Sequence, residues 1–236
     1  SLLFILSVFV FQAAIILYPG WREDDAAFFL IRLKYNLFGN ALDRFSFENP
    51  FILTSGLKSP VYVDCRKIIS FVNERNTILN LAIEYFKNNN INFDILAGGE
   101  TAGIPYAAFF SELLQKPMIY VRKKTKGFGK DQQIEGSFKK NQKTILIEDL
   151  ATDGRSKVIF IEALRKAELL VSDIFVVFYY DIFDINNSPL SSLDVKIHSL
   201  CTWKDIINFL KKKKIYSEEQ IHNLEKFLQN PGKWRD

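Results

Sequence analysis

The segment Ile145–Lys157, which reads ILIEDLATDGRSK, decides the fold. Residues 144–147 predict a short buried strand, and the acids Glu148 and Asp149 follow it directly. After a short loop, apolar residues at helical spacing predict a helix over 156–167. Parallel sheets bind ligands at the carboxyl ends of their strands, so the residues between this strand and this helix form the first candidate site.

The loop of this segment carries the groups that bind a phosphate. Thr152–Ser156 offers hydroxyls, backbone N–H groups and the positive end of a helix dipole. Adjacent carboxylates are costly at a strand end unless they meet hydroxyls, Mg²⁺ or other donors, and a ribose offers two vicinal hydroxyls. Together the two halves predict a site for a sugar 5-phosphate. The alternative is an ordinary helix N-cap at Ser156 preceded by surface acids, while a Walker loop is excluded because no Gly-Lys-Ser/Thr follows at the right spacing.

The rest of the chain alternates strands and helices around this segment. Continuous apolar strands of this kind are typical of a mainly parallel central sheet with helices on both faces, so we expect an α/β fold. Turn-forming residues within 45–64 predict a hairpin-like segment before it. The predicted strands are 93–97, 118–121, 174–180 and 195–200, and the predicted helices are 23–37, 73–89, 103–114, 203–212 and 217–228.

Composition excludes several classes of protein. The chain has 236 residues, of which 48% are hydrophobic, so it can form a sizeable core and is not a disordered chain. Its net charge of +4 does not require a nucleic acid, and none is expected as a partner. Two distant cysteines and two histidines make a zinc site or a histidine-dependent hydrolase a poor interpretation. Free thiols are typical of a reducing compartment, so we expect a cytoplasmic protein.

The amino-terminal residues differ from the rest. Residues 2–18 are almost wholly apolar and lie at the lower edge of the length that spans a membrane. They are either an anchor or a non-native start, and contact with a membrane is expected only if they are an anchor. We therefore divide the chain into an apolar extension, 1–20, and one enzyme domain, 21–236.

The segment Ile145–Lys157 resembles the motif that binds phosphoribosyl diphosphate (PRPP) in the type I phosphoribosyltransferases. The resemblance implies that family's fold: a mainly parallel sheet flanked by helices, a small amino-terminal hood segment and a flexible catalytic loop. Arg155 departs from the motif, which commonly has a small residue there. The PRPP-binding residues implied are Arg122, Lys123, Lys126, Glu148, Asp149, Leu150, Ala151, Thr152, Asp153, Gly154, Arg155 and Ser156.

A second segment resembles the substrate segment of the orotate phosphoribosyltransferases. Phe51–Arg66 reads FILTSGLKSPVYVDCR and contains the Ser-Gly-x-Lys-Ser-Pro core of that family, followed by an aromatic residue. The resemblance implies that Lys58, Tyr62 and Thr152 contact orotate. Thr54 stands where one version of the family has a lysine.

A third segment, Leu96–Pro105, reads LAGGETAGIP, follows a strand and opens a helix. Its backbone N–H groups can face an anion. It resembles the diphosphate-binding loop of the family, which implies Gly99, Glu100, Thr101 and Ala102 as that loop. Some relatives have a lysine at the position of Ala102.

The basic segment Tyr120–Gly136 would repel itself without an anionic partner. It resembles the mobile loop that closes over the diphosphate of PRPP, often across a homodimer interface. The catalytic residues implied are Lys123, Lys126 and Asp149, with Mg²⁺ carried by PRPP rather than bound directly by protein side chains. Phe128 stands where the family usually has a histidine.

The resemblance extends over 45–203 and implies an orotate phosphoribosyltransferase of UMP biosynthesis, with PRPP and orotate as substrates. The chain lacks the arginine that relatives often have after the strand at 174–180, and Asp181 and Ile182 stand at that place. Two alternatives remain open at this point. One is a phosphoribosyltransferase for purine bases, and the other is a PRPP-sensing regulator with the same fold.

Overall fold

The computed structural model of the chain describes residues 46, 49–52, 58–124, 133–152, 154–182, 189–214 and 216–231. The apolar extension 1–20 and the helix predicted over 23–37 lie outside these residues. No helix within the described ranges is long and apolar enough to cross a membrane.

A six-stranded sheet forms the centre of the molecule. Its strands are β3 (Ile95–Gly99), β4 (Met118–Val121), β5 (Ile134–Glu135), β6 (Lys143–Ala151), β7 (Leu170–Tyr179) and β8 (Lys196–Thr202). Their spatial order is β5-β4-β3-β6-β7-β8, and only the β4–β5 pair is antiparallel. The expectation of a mainly parallel α/β sheet is therefore confirmed.

Helices cover both faces of this sheet. One face carries α3 (Arg155–Lys166), and the other carries α1 (Val72–Asn88), α2 (Gly103–Leu114), α4 (Trp203–Lys213) and α5 (Glu218–Gln229). Phe86 of α1, Phe110 of α2 and Phe175 of β7 are buried, and their ring centroids lie 4.9 to 5.7 Å apart. This aromatic cluster joins the helices to the middle of the sheet.

A small hood precedes the sheet. Strands β1 (Phe51–Ile52) and β2 (Lys58–Ser59) pair antiparallel, which confirms the hairpin-like segment. A 3₁₀ helix, Cys65–Ser70, follows it. The Tyr106 hydroxyl of α2 donates a hydrogen bond to the Cys65 carbonyl at 2.8 Å, so the hood segment is fastened to the main body.

The predicted strand at 144–147 ends four residues too early. β6 runs on to Ala151 because Glu148, Leu150 and Ala151 keep pairing with Val176–Tyr179 of β7. Leu150 and Ala151, which we assigned to the phosphate loop, are therefore the last residues of a strand. Most other boundaries agree within one or two residues, and helix 103–114 and strand 118–121 agree to the residue.

Candidate active site

Three of the four predicted segments meet at one edge of the sheet. β3 pairs with β4 on one side and with β6 on the other, so the strands end side by side. Gly99 lies opposite Val121, and Gly98 lies opposite Ile147. The turn after β3, the start of the basic loop and the acid pair are consequently neighbours.

Glu100 links the turn after β3 to the basic loop. Its backbone N–H donates to the Val121 carbonyl at 2.9 Å, and its carboxylate accepts a hydrogen bond from the Lys123 backbone N–H at 2.7 Å. The Lys123 side chain is exposed. The backbone at the base of the loop is thus fixed, while the side chain of Lys123 extends into solvent at the edge of the site.

The basic loop rises from a two-stranded stem. The Arg122 backbone N–H donates to the Gln133 carbonyl at 2.8 Å, and the Gln133 side chain donates back to the Arg122 carbonyl at 2.7 Å. The Arg122 guanidinium nitrogen Nη2 lies 3.3 Å from a carboxylate oxygen of Glu135. The basic segment Tyr120–Gly136 is not loop throughout, because residues 134–135 near its end form β5. Lys126 and Phe128 lie outside the described residues.

The two acids have different surroundings. Neighbouring residues of an extended strand point to opposite faces, and β6 is still extended at this point. Glu148 points towards α3, with only 5% of its surface exposed. Asp149 is half-buried beside the hood. Burial is the main cause of the raised pKa of the Cys65 thiol in the hood, and the charge of Asp149 contributes to it. The acids therefore do not form one matched pair.

Lys157 of α3 pairs with Glu148, a contact that was not predicted from the sequence. Its ammonium nitrogen lies 2.7 Å from a Glu148 carboxylate oxygen, 2.7 Å from the Leu150 carbonyl and 3.3 Å from the Ser156 hydroxyl. It is 5% exposed. One signal was available: Lys157 shares the apolar face of α3 with Phe160 and Leu164, and a lysine there requires a buried acid.

Two glycines make room for the Glu148 carboxylate. A Cβ atom at Gly99 would lie 2.1 Å from the second carboxylate oxygen, Oε1, and one at Gly103 would lie 2.7 Å from it. Oε1 is buried and makes no hydrogen bond within the described part of the chain. Gly99 of the predicted diphosphate loop and Gly103, directly after that loop, thus hold open the space for an acid of the neighbouring strand β6.

Burial works against ionisation of both acids. It raises the pKa of Glu148, and the Lys157 ammonium opposes this shift. It also raises the pKa of Asp149, again against the charge of Lys157 and, more weakly, that of Arg66. Carboxylates under this influence are typical of sites that use their charge.

The phosphate loop is shorter than predicted and ends at a glycine. Gly154 has a φ of 81° and is the N-cap of α3, so the alternative of an N-cap at Ser156 is wrong. Gly154 has no side chain to cap the helix, and first-turn N–H groups of this kind bind anions. Thr152 is exposed, Arg155 is the first helical residue, and Asp153 lies outside the described residues.

Gly154 is also closely covered. A Cβ atom there would lie 2.3 Å from the Leu190 side chain, which belongs to the connection between β7 and β8. The shape of the phosphate loop therefore depends on a residue 36 positions further along the chain.

Two of the three predicted base-binding residues, Lys58 and Tyr62, lie on the hood, and the third, Thr152, lies in the phosphate loop. Lys58 is exposed in β2, and Tyr62 is half-buried with its ring centroid 5.9 Å from that of Phe51. Arg66, to which the sequence motifs assigned no role, donates to the Tyr62 hydroxyl at 3.0 Å and to the Asp64 carboxylate at 2.7 Å. Arg66 thus fixes the tyrosine that we expect to contact the base. Thr54 lies outside the described residues.

Comparisons with known proteins agree with this geometry. No protein-family model matches the chain. Over 194 residues it is 44% identical to a protein of Roseobacter denitrificans named orotate phosphoribosyltransferase, covering 81% of this chain and 86% of that one. The chain belongs to the orotate phosphoribosyltransferases. It is therefore an enzyme of the pentosyltransferase class, and both the resemblance and the fold class are confirmed.

Solved structures of orotate phosphoribosyltransferases have the same fold. The enzyme of Aeropyrum pernix is 29% identical, with a TM-score of 0.65, covering 78% of this chain and 99% of that one. A UMP synthase of Leishmania donovani is 25% identical, with a TM-score of 0.67, and the match covers 88% of this chain. This chain spans only 42% of that longer protein.

Proposed function

We propose that the chain transfers ribose 5-phosphate from PRPP to N1 of orotate, giving orotidine 5′-phosphate and diphosphate in UMP biosynthesis. The observation that carries this proposal is the 44% identity to an orotate phosphoribosyltransferase over 81% of the chain. The convergence of the β3 turn, the acid pair and the basic loop at one sheet edge supports it.

The phosphate loop anchors the 5-phosphate of PRPP. Its residues run from Thr152 to Gly154, and the N–H groups of Arg155 and Ser156 in the first turn of α3 are proposed to face the anion. This binding energy comes from a part of the substrate that does not react, and it holds C1 of the ribose in place for the reaction. Asp153, although outside the described residues, belongs to this proposed loop.

The acids act on the ribose. As diphosphate leaves, C1 develops positive charge, and a carboxylate held nearby stabilises that charge. Asp149 is the acid proposed for this role, because it faces the hood where the base is expected. Glu148 is proposed to lie beneath the ribose hydroxyls, with its one hydrogen-bonded oxygen on Lys157.

The leaving group is bound by the turn after β3 and by the basic loop. Within Gly99–Ala102, the backbone N–H groups of Thr101 and Ala102 are proposed to face the diphosphate, since that of Glu100 donates to the Val121 carbonyl. Arg122, Lys123 and Lys126 supply positive charge. Closure of such a loop excludes water, which would otherwise hydrolyse PRPP. Mg²⁺ enters with PRPP as part of the substrate and neutralises charge on its diphosphate.

The base is proposed to lie between the hood and the phosphate loop. Lys58 faces the orotate carboxylate, Tyr62 contacts the ring and Thr152 offers a hydroxyl.

We further propose a cytoplasmic homodimer in which the basic loop acts across the interface. The described cysteines, Cys65 and Cys201, are buried thiols that form no disulfide with each other, which supports a reducing compartment.

An orotate assay tests the proposal. Purified protein with PRPP, Mg²⁺ and orotate should consume orotate, which is followed by its ultraviolet absorbance. Parallel reactions contain adenine, guanine or hypoxanthine in place of orotate. Turnover of a purine base without turnover of orotate would overturn the assignment in favour of a purine enzyme, and no turnover with any base would favour a PRPP-binding regulator.

Lys123→Ala should lower kcat by about 10²-fold, because a charge that stabilises the leaving group is lost. The free energy of unfolding should change by less than about 0.5 kcal/mol, since Lys123 is exposed and its fixed contact uses the backbone N–H. Steady-state kinetics and urea denaturation measure the two effects. Lys139→Ala, an exposed lysine outside the loop, is the control, and equal kcat values for the two variants would remove Lys123 from the mechanism.

A further inference from the structure

The ammonium group of Lys157 connects three parts of the site. It donates to Glu148 in β6, to the carbonyl of Leu150 near the end of that strand, and to the hydroxyl of Ser156 in the first turn of α3. These contacts use all three of its N–H donors. One side chain therefore joins the Glu148 carboxylate, the backbone near the end of β6 and the first turn of α3.

The contacts lie beneath the phosphate loop and away from solvent. The side chains of Lys157 and Glu148 are 6% and 7% exposed. Glu148 in turn fills the space beside Gly99 and Gly103, where any Cβ atom would collide with it. The pair thus lies between the loop proposed for the 5-phosphate and the loop proposed for the diphosphate.

Charged groups of three parts of the described chain act on the Glu148 carboxylate. α3 contributes Lys157, β6 contributes Asp149, and the segment after β4 contributes Lys123. The contacting residues of β3 and α2, Gly99 and Gly103, carry no charge. Of these groups, Lys157 is the positive charge in direct contact, so it opposes the effect of burial most strongly, and Lys123 opposes it more weakly.

We propose that Lys157 is a positioning residue: it supplies the countercharge in contact with the buried Glu148 carboxylate and holds the Leu150 carbonyl and the Ser156 hydroxyl in the arrangement that binds PRPP. This inference rests on the proposed function, because PRPP is the ligand of that site. Lys157 is buried and touches neither the base nor the departing diphosphate in this arrangement. It acts through the groups that it holds.

The test compares wild type with Lys157→Met, Lys157→Arg and the double variant Lys157→Met/Glu148→Gln. Methionine has a similar length without charge, so Lys157→Met leaves a buried carboxylate without its partner. Glutamine then removes that carboxylate charge with little change in shape. Unfolding free energies from urea denaturation are measured between pH 5 and 8, and Mg²⁺–PRPP affinity is measured by calorimetry.

The dependence of stability on pH should be largest in the single methionine variant. Burial already raises the folded-state pKa of Glu148, and without Lys157 it rises further above the unfolded value, so the folded state binds more protons than the unfolded state. Stability is then lost as pH rises from the unfolded pKa towards the raised folded pKa. The double variant has no carboxyl group at this position and should not show this loss, so it should be the more stable of the two at pH 8.

PRPP affinity reports the positioning role. Both methionine variants should bind PRPP at least about 10-fold more weakly than wild type, while Lys157→Arg should retain part of the affinity. The inference is overturned if the double variant binds PRPP as tightly as wild type. It is also overturned if Lys157→Met shows the same pH dependence of stability as the double variant. Absence of PRPP binding by wild type would instead contradict the proposed function.

Discussion

Asp149→Asn should lower kcat/KM for PRPP by about 10²- to 10³-fold, while the free energy of unfolding stays the same or rises. The amide keeps the size of the side chain and removes its charge, so the positive charge at C1 loses a stabilising group. Burial disfavours the ionised form of Asp149 in the folded chain, and an amide avoids that cost. Activity and stability are therefore expected to respond in opposite directions.

The pH profile gives a second measure of Asp149. Since burial raises the pKa of this carboxyl, kcat/KM in the wild type should fall on acidification at a pH above the ordinary aspartate value of about 3.9. The fall due to this group should be missing from Asp149→Asn. The kinetic profile is measured with PRPP varied and orotate saturating.

A matched control comes from the surface. Asp194 is exposed and has a φ of 47°, a conformation that asparagine tolerates, so Asp194→Asn should match wild type in kinetics and in stability. The proposed role of Asp149 fails if Asp149→Asn retains wild-type kcat/KM. It also fails if the loss of activity is accompanied by an equal loss of folded protein.

Gly103→Ala should lower the free energy of unfolding by about 3 kcal/mol or more. An alanine in a helix is ordinarily more stable than glycine by about 1 kcal/mol, so the expected sign is the reverse of the usual one. The cause is steric, because a Cβ atom at Gly103 would lie 2.2 Å from the Ile147 carbonyl oxygen. That oxygen belongs to the backbone of β6, which pairs with strands on both sides and cannot move away cheaply.

Urea denaturation measures the effect, and two further variants separate its causes. Glu112→Ala, at an exposed position of the same helix, should change stability by less than about 0.5 kcal/mol. Gly99→Ala should cost less than Gly103→Ala, since the atoms it meets are side-chain atoms of Glu148 and Phe160. A Gly103→Ala variant as stable as wild type would contradict the close contact between α2 and β6.

The sheet could be predicted well from the sequence because its central strands are continuous apolar runs. β3 and the middle of β6 are wholly buried, and their short apolar sequences do not fit the spacing of an amphipathic helix. The same reasoning misjudged the end of β6, because Glu148 and Asp149 resemble loop residues. Pairing with β7 keeps this part of the strand extended, and such a partner is invisible in a local pattern.

The site was predicted as a set of segments rather than as a set of contacts. The motif at Ile145–Lys157 placed the acids beside the carboxyl end of a buried strand, but it could not show that they face opposite sides of that strand. Lys157 and Arg66 were missed because each acts on a neighbour, Glu148 or Tyr62, whose position depends on the fold. Lys126 and Asp153 remain predictions, since both lie outside the described residues.

Leu190 limits how this protein could be engineered. Its side chain occupies the space beside Gly154 where another residue would have a Cβ atom. A chimera that received the phosphate loop of a relative with a larger residue at this position would collide with Leu190, even if every transplanted residue were functional in the donor. Loop exchange in this scaffold should therefore transfer the connection between β7 and β8 together with the loop, as one inherited unit.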